Sequence, residues 1–279
     1  MVDSSAAGDA IGSADLEELL ALAVDVAREA GELARRRRSE GVSVAATKST
    51  IADIVTEADR EVEDLIRARL TAARPGDGFL GEEGGAEEGT TGITWVVDPI
   101  DGTVNYLYGI PHYAVSIAAV SGEPVATHWR QLVGVVFNPV TGELFHATRG
   151  GGAWLGDQRL HVGTPGDAGA LVATGFGYDP ATHEGDFARL RRVMPLARDI
   201  RRAGAASLDL AFVAAARLDG YFERGLHPWD HAAGGLLVLE AGGRLGGVPD
   251  GTPGGSPGRE MTIAAGEPLF EHICAAVYQ

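Results

Sequence analysis

Between Asp15 and about Ser39 the apolar residues Leu16, Leu19, Leu20, Ala23, Ala27, Ala30 and Leu33 recur at helical spacing. Asp15 and Glu18 can form a capping box, and Gly41 supplies a stop. The run Arg35–Arg38 falls in the last turn, where it complements the helix dipole and is solvated. A second helix is expected from near Thr56 in TEADREVEDLIRARL and must end before Pro75, because a proline disfavours helical backbone in the residue before it. DGFLGEEGG and ITWVVDPIDGT read as short strands, each running into an acidic turn. HYAVSIAAV, QLVGVVFNP and GELFHATRG alternate or run apolar between turn signals, which predicts an antiparallel meander with NPVTG as a hairpin turn.

Past GGGAWLG the rhythm changes. LVATGFG, ARDIRR, GYFERG and MTIAAG read as strands; DFARLRRVMPL, AASLDLAFVAAARLD, WDHAAGGLLVLEAGG and PLFEHICAAVY read as the helices between and after them. Such alternation implies a layered α/β lobe. The expected organisation is a disordered tail over 1–14, an α+β lobe over 15–150 and an α/β lobe over 151–279, joined near Gly151 without a linker. Residues 246–258, GGVPDGTPGGSPG, form a flexible Gly/Pro-rich loop, and 121–131 form another long loop. There is no short-period repeat.

Composition narrows the chemistry. The chain has 279 residues, enough for one large domain or two joined lobes, and a formal net charge of −16. General solubility accounts for most of that acidity, and it disfavours nucleic acid and anionic membranes as partners. A phosphate-bearing substrate would need a local positive charge, most simply a metal cation. Cys274 is the sole cysteine, so no intramolecular disulfide forms and a reducing compartment is compatible. The first fifteen residues lack the basic and apolar regions of a signal peptide, and no apolar run approaches the ~18 residues of a membrane span. A cytoplasmic location is expected.

Two aspartates stand out at the end of an apolar strand, in WVVDPIDGTVNY. Pro99 fixes its own φ and turns the chain, so Asp98, Asp101 and the carbonyl of Ile100 can face one point. Oxygen-only donors suit hard cations such as Mg²⁺. Gly102 and Thr103 then offer backbone N–H groups where a helix can start. Taken alone, DPIDG reads equally well as a simple turn. Glu82 and Glu83 in GEEG lie side by side, costly if buried without a cation, harmless in an exposed loop. Asp59 is spaced from Thr56 as an N3 residue from its N-cap, and capping and metal binding are compatible roles. Asp230 falls in the first turn of the helix in HPWDHAAGG, where dipole compensation alone would place it. His227 and His231 are four apart, but Pro228 makes His227 pre-helical and no third soft ligand accompanies them, so zinc is not expected. GGSPG at 254–258 matches a nucleophile elbow in letters only, since Gly/Pro loop flanks it on both sides.

The order of these pieces is more specific than any one of them. TKSTIADIVTEAD, GEE, WVVDPIDGTVNY and ERGLHPWDHAAGG, in that sequence, resemble the inositol monophosphatase family, and bacterial members of actinobacterial type above all. The likeness runs from about Asp15 to Gln279. It implies a layered αβαβα sandwich of the inositol monophosphatase and fructose-1,6-bisphosphatase type, and a homodimer. It implies that Glu82, Asp98, the Ile100 carbonyl, Asp101 and Asp230 hold Mg²⁺, with Asp59 and Glu83 helping to fix a further, weaker ion, two to three ions in all. Thr103 would orient the attacking water, Glu82 would accept its proton, and Asp59 would belong to the same catalytic group. The backbone of Gly102 and Thr103 would hold the phosphate beside Asp101 and Asp230. Glu223 and the Gly204–Ala205–Ala206 turn would meet the substrate hydroxyls, with Arg201 near and Lys48 at the mouth. Ala205 and Ala206 leave that turn without a side-chain hydrogen-bond donor.

The resemblance thus implies Mg²⁺-dependent, lithium-sensitive hydrolysis of myo-inositol 1-phosphate by in-line attack of water. The same chemistry leaves histidinol phosphate, fructose 1,6-bisphosphate and adenosine 3′,5′-bisphosphate open as substrates. From another class, a non-catalytic partner in transcription or ribosome maturation also fits. A carboxylate-pair glycosidase would not require the Pro and Gly of DPIDGT.

Overall fold

The computed structural model describes residues 12–41, 44–47, 54–123, 125, 128–247 and 256–279. In chain order the first half contains α1 (Ser13–Glu40), β1 (Val44–Thr47), β2 (Ile54–Thr56), α2 (Glu57–Ala73), β3 (Gly78–Gly81), β4 (Gly85–Glu87), β5 (Ile93–Asp101) and α3 (Thr103–Tyr108). The meander follows as β6 (Ala114–Gly122), β7 (Trp129–Asn138), β8 (Glu143–Thr148), β9 (Gly152–Leu155) and β10 (Gln158–Arg159). The second half alternates: β11 (Ala170–Thr174), α4 (His183–Val193), β12 (Ala197–Arg201), α5 (Ala206–Ala214), β13 (Gly220–Glu223), α6 (Pro228–Glu240), β14 (Arg244–Gly246), β15 (Thr262–Ala265) and α7 (Leu269–Tyr278).

Five layers result. Helices α1 and α2 bury Leu19, Ala23, Ala27, Val62 and Ile66 on one face of an eight-stranded sheet ordered β10-β9-β8-β7-β6-β5-β3-β4. The other face of that sheet packs on α5 and α6, which also cover a five-stranded sheet ordered β12-β11-β13-β15-β14. Helices α4 and α7 close the far side through Val193, Phe270, Ile273 and Val277. This is the αβαβα sandwich expected. The two middle helices are apolar all round because a sheet lies on each side of them. Small residues bring α6 close to the sheet: a Cβ on Gly134 of β7 would lie 2.9 Å from the Ala233 backbone of α6.

Several expectations change. The eight-stranded sheet continues past Gly151 through β9 and β10, so its territory ends near Arg159 rather than at residue 150. A Gly-rich stretch marked the turn before β9, not a lobe boundary. Helix α1 begins at Ser13, inside the stretch expected to be tail, and Asp15 accepts from the Gly12 N–H at 3.2 Å in place of an Asp15–Glu18 box. The β1–β2 hairpin and the three-residue β14 had no counterpart in the sequence pattern. Residues 248–255, which include most of the 246–258 loop and the first two glycines of GGSPG, and Lys48 lie outside the described residues.

Candidate metal centre and active site

Strand β5 carries Asp98 and Asp101 to one place by breaking its own register. Asp98 pairs with Ser116 of β6 and Asp101 with Ala114, so three steps on β5 match two on β6. Residues three apart on a regular strand face opposite sides, and one extra residue brings them to the same side. Pro99, which has no N–H to give the ladder, sits in that irregularity. The Ile100 N–H donates to Asp98 Oδ1 at 3.1 Å and fixes the first carboxylate. Gly102 follows in the left-handed region (φ 90°, ψ 40°), where a Cβ would also press on the His112 carbonyl at 3.1 Å and the Gly204 carbonyl at 3.2 Å. The glycine of DPIDGT is therefore required twice over.

Other elements converge on the same point. Asp230 is the N3 residue of α6 and accepts from the His227 N–H at 2.7 Å. Asp59 is the N3 residue of α2: the Thr56 N–H donates to its Oδ2 at 2.8 Å, and the Thr56 Oγ1 accepts from the Asp59 N–H. The capping box is real, and the free edge of that carboxylate still reaches the site: Thr103 Oγ1 lies 3.2 Å from Asp59 Oδ1 and 3.2 Å from the Ile100 carbonyl. One hydroxyl proton faces two acceptors. The turn bearing Glu82 and Glu83 hangs on Glu63 of α2, which accepts from the N–H groups of Glu83 (2.8 Å) and Gly84 (2.6 Å) and pairs with Arg67 at 3.1 Å.

Asp98, Asp101 and Asp230 each present an oxygen within 4.8 Å of the others, and this is the one such cluster among the described residues. Burial raises the carboxyl pKa of all three. Asp98 is pushed well above its usual range by burial, then by Glu82, Asp101, Asp230 and Asp59; Asp230 likewise by burial, then by Asp101 and Glu82. Asp101 rises only to about 6, because hydrogen bonds from Ser207 oppose the burial. Asp59 rises to about 7 through burial, against its bonds to Thr56. Among the described residues no Lys or Arg pairs with Asp59, Asp98, Asp101 or Asp230. Buried or, for Asp230, half-buried, mutually repelling, all-oxygen and without a paired cation among the described residues, this set fits a hard divalent metal ion. The imidazoles do not add to it: His231 is fully buried beside Trp129, and the His227 ring stacks on Trp229 with centroids 4.7 Å apart.

The family model for the inositol monophosphatase family matches residues 15–279. The chain belongs to the inositol monophosphatase family. It is 47% identical over 229 residues to the inositol-1-monophosphatase of Rhizobium meliloti (strain 1021), covering 81% of this chain and 84% of that one. It is 45% identical over 247 residues to inositol-1-monophosphatase SuhB of Mycobacterium tuberculosis, with 81% and 83% covered. The solved extragenic suppressor protein suhB of Bartonella henselae superposes with a TM-score of 0.85 at 37% identity, over 94% of this chain and 99% of that one.

Against this family frame, the placement of the remaining sequence-derived residues is mixed. Glu223 ends β13, half-buried, with its carboxyl raised to about 7 by burial and its Oε2 accepting from the Tyr221 hydroxyl at 2.6 Å. The Gly204–Ala206 turn abuts Gly102. Arg201 does not join them: it is exposed, 2.7 Å from Asp199, and donates to its neighbour's carbonyl. The adjacent Arg202 is the arginine whose charge is felt by Glu223 and Asp209. Sequence reasoning passed over Asn105, whose Nδ2 donates to the carbonyls of His112 (2.7 Å) and Ala203 (2.9 Å) and so holds the Gly204–Ala206 turn against α3. It also passed over Glu63. The Asn of DGTVNY and the acid on the apolar face of α2 were the available signals.

Proposed function

We propose that this chain is a Mg²⁺-dependent phosphomonoesterase that hydrolyses myo-inositol 1-phosphate to inositol and phosphate. The observation that carries the reading is the Asp98–Asp101–Asp230 cluster, three carboxylates within 4.8 Å that no Lys or Arg among the described residues pairs with. Asp98, Asp101, Asp230, Glu82 and the Ile100 carbonyl would hold the metal, with Asp59 and Glu83 at a weaker position. When bound, such ions supply Lewis acidity at the phosphoryl oxygens and an acidified water. The chain's own groups do the rest. Thr103 donates its one proton to Asp59 or to Ile100, so an oxygen lone pair is left to accept a hydrogen bond from water and aim it. Glu82 is the proton acceptor. Backbone N–H groups of Gly102 and Thr103 seat the phosphate. The hydroxyl of Ser207 is committed to Asp101, and no cysteine lies in the site, which supports direct attack by water over a covalent intermediate.

For the alcohol half, Tyr221 occupies one oxygen of Glu223 and leaves the other for substrate hydroxyls. The names of the Rhizobium and Mycobacterium relatives support an inositol phosphate. A relative in Haemophilus influenzae, 40% identical over 231 residues, is named Nus factor SuhB, which supports a second, non-catalytic role beside the chemistry. A homodimer is part of the proposal, supported by Tyr108 and Ile110, exposed at 74% and 47% around the tight Gly109 turn. No helix among the described residues is long and apolar enough to cross a membrane, in keeping with a cytoplasmic site of action. The test is phosphate release from inositol 1-phosphate, histidinol phosphate, fructose 1,6-bisphosphate and adenosine 3′,5′-bisphosphate with Mg²⁺. Inositol 1-phosphate should give the highest kcat/KM; a clear preference for another member refutes the substrate assignment.

A further inference from the structure

Asp101 is held from the far side by the start of α5. Its Oδ1 accepts from the Ala206 N–H at 3.3 Å, and its Oδ2 accepts from both the N–H (2.8 Å) and the hydroxyl (2.5 Å) of Ser207. The N-cap of α5 is Ala205, which offers no side-chain acceptor. Asp101, 105 residues away in sequence, therefore caps this helix from another element. The two backbone donors account for that capping whether or not residue 207 has a hydroxyl. Ser207 is fully buried, stands at the second helical position rather than the cap, and its Oγ donates to no other group among the described residues. The hydroxyl adds nothing to the helix, so its effect falls on Asp101.

What it changes is orientation. The terminal torsion of an aspartate is broad and soft, so one N–H on each oxygen leaves the carboxylate plane free to rock. Two donors meeting on Oδ2 fix which edge faces α5 and which faces Asp98 and Asp230. We propose that Ser207 is a positioning residue of the metal centre: its hydroxyl pins Oδ2 of Asp101 and thereby presents the other edge of that carboxylate to the cation. This presupposes that Asp101 is a metal ligand, as proposed above. The turn itself, Gly204–Ala206, carries no hydroxyl, and Ser207 supplies the donor one residue beyond it.

The test is Mn²⁺ binding to chelator-treated full-length protein, read as free Mn²⁺ by electron paramagnetic resonance, with metal-free melting in parallel. Wild type, Ser207→Ala, Ser207→Thr and Asp101→Asn are compared. Partners that orient a ligand typically contribute 10–100-fold in metal affinity, so Ser207→Ala should weaken Mn²⁺ binding by about 10-fold. Its metal-free melting should stay near wild type, and Ser207→Thr, which restores the hydroxyl, should bind more tightly than Ser207→Ala. Asp101→Asn should lose most of the binding. If Ser207→Ala binds as wild type does while Asp101→Asn is impaired, the role of Ser207 is refuted and the metal centre stands. Equal weakening in the Ala and Thr variants also refutes it, since packing would then be the cause. If wild type itself binds no Mn²⁺, the metal reading fails and the Ser207 role with it.

Discussion

The charge cluster makes a prediction opposite in sign to most active-site substitutions: Asp98→Asn should stabilise the metal-free protein. Asp98 Oδ1 accepts from the Ile100 N–H at 3.1 Å, and an amide oxygen can keep that bond. The new amide nitrogen then faces Asp101 and Asp230 as a donor where a like charge stood. Two unit charges 4.8 Å apart, the widest separation in the cluster, repel by about 3.5 kcal/mol at an effective dielectric near 20. Wild type relieves part of this by holding protons. With folded values of about 6 for Asp101 and about 7 for Asp59, against roughly 4 in the unfolded chain, the folded state binds more protons between pH 4 and 7. Stability of the metal-free wild type therefore falls as pH rises through that window. Asp98→Asn removes one titrating group, so its advantage should be small at acidic pH and grow toward alkaline pH. At about 2–4 °C per kcal/mol for a protein of this size, a gain of ~1–3 kcal/mol raises Tm by roughly 2–12 °C. The assay is thermal melting in EDTA at pH 5.5 and 8.5, then with saturating Mg²⁺. Magnesium should raise the Tm of wild type and do little for the variant. A variant less stable than wild type at pH 8.5, or a difference independent of pH, refutes the reasoning.

Three further outcomes are expected. Thr103→Ala should lower kcat by about tenfold, the rate equivalent of one hydrogen bond of ~1.5 kcal/mol, with a smaller change in KM; an unchanged kcat removes the water-aiming role. Glu223→Gln should cost inositol 1-phosphate ~0.5–1.5 kcal/mol in kcat/KM and histidinol phosphate, whose ammonium would lose a charged partner, ~1.5–3 kcal/mol. No loss with either substrate would mean that Glu223 contacts neither group. Arg201→Ala should leave kcat/KM at the wild-type value, because Arg201 spends its charge on exposed Asp199; a marked loss would return it to the site.

How far the sequence could be read depended on whether a residue's role is local. DPIDGT, the Thr56–Asp59 cap and the first turn of α6 are local motifs, and each delivers its acid where the spacing implied. The α/β alternation of the second half followed from the change of rhythm after the meander and the five layers from the family resemblance, while the misplaced boundary arose because β9 and β10 are short and β9 starts within a run of three glycines. Glu63 was hidden for a different reason. It falls on the apolar face of α2 four residues before Arg67, but only the approach of the Gly84 turn makes it an anchor. The bulge that brings Asp98 and Asp101 to one side depends on pairing with β6, which strand periodicity cannot show. Ser207 was invisible because its partner lies 106 residues earlier. Arg201 and Arg202 are adjacent and identical in kind, and the sequence does not show that it is Arg202, one residue past the end of β12, whose charge reaches Glu223 and Asp209.

The central claim is that the clustered carboxylates of Asp98, Asp101 and Asp230 form a metal centre on which phosphate-ester hydrolysis depends. The most direct measurement is phosphate release from myo-inositol 1-phosphate by exhaustively chelated protein, before and after Mg²⁺ is restored, for wild type and Asp230→Asn. The account predicts no turnover in the chelated wild type, full recovery with Mg²⁺, and none with Mg²⁺ in a folded Asp230→Asn. Undiminished turnover after chelation, or recovery in the variant equal to wild type, would contradict it.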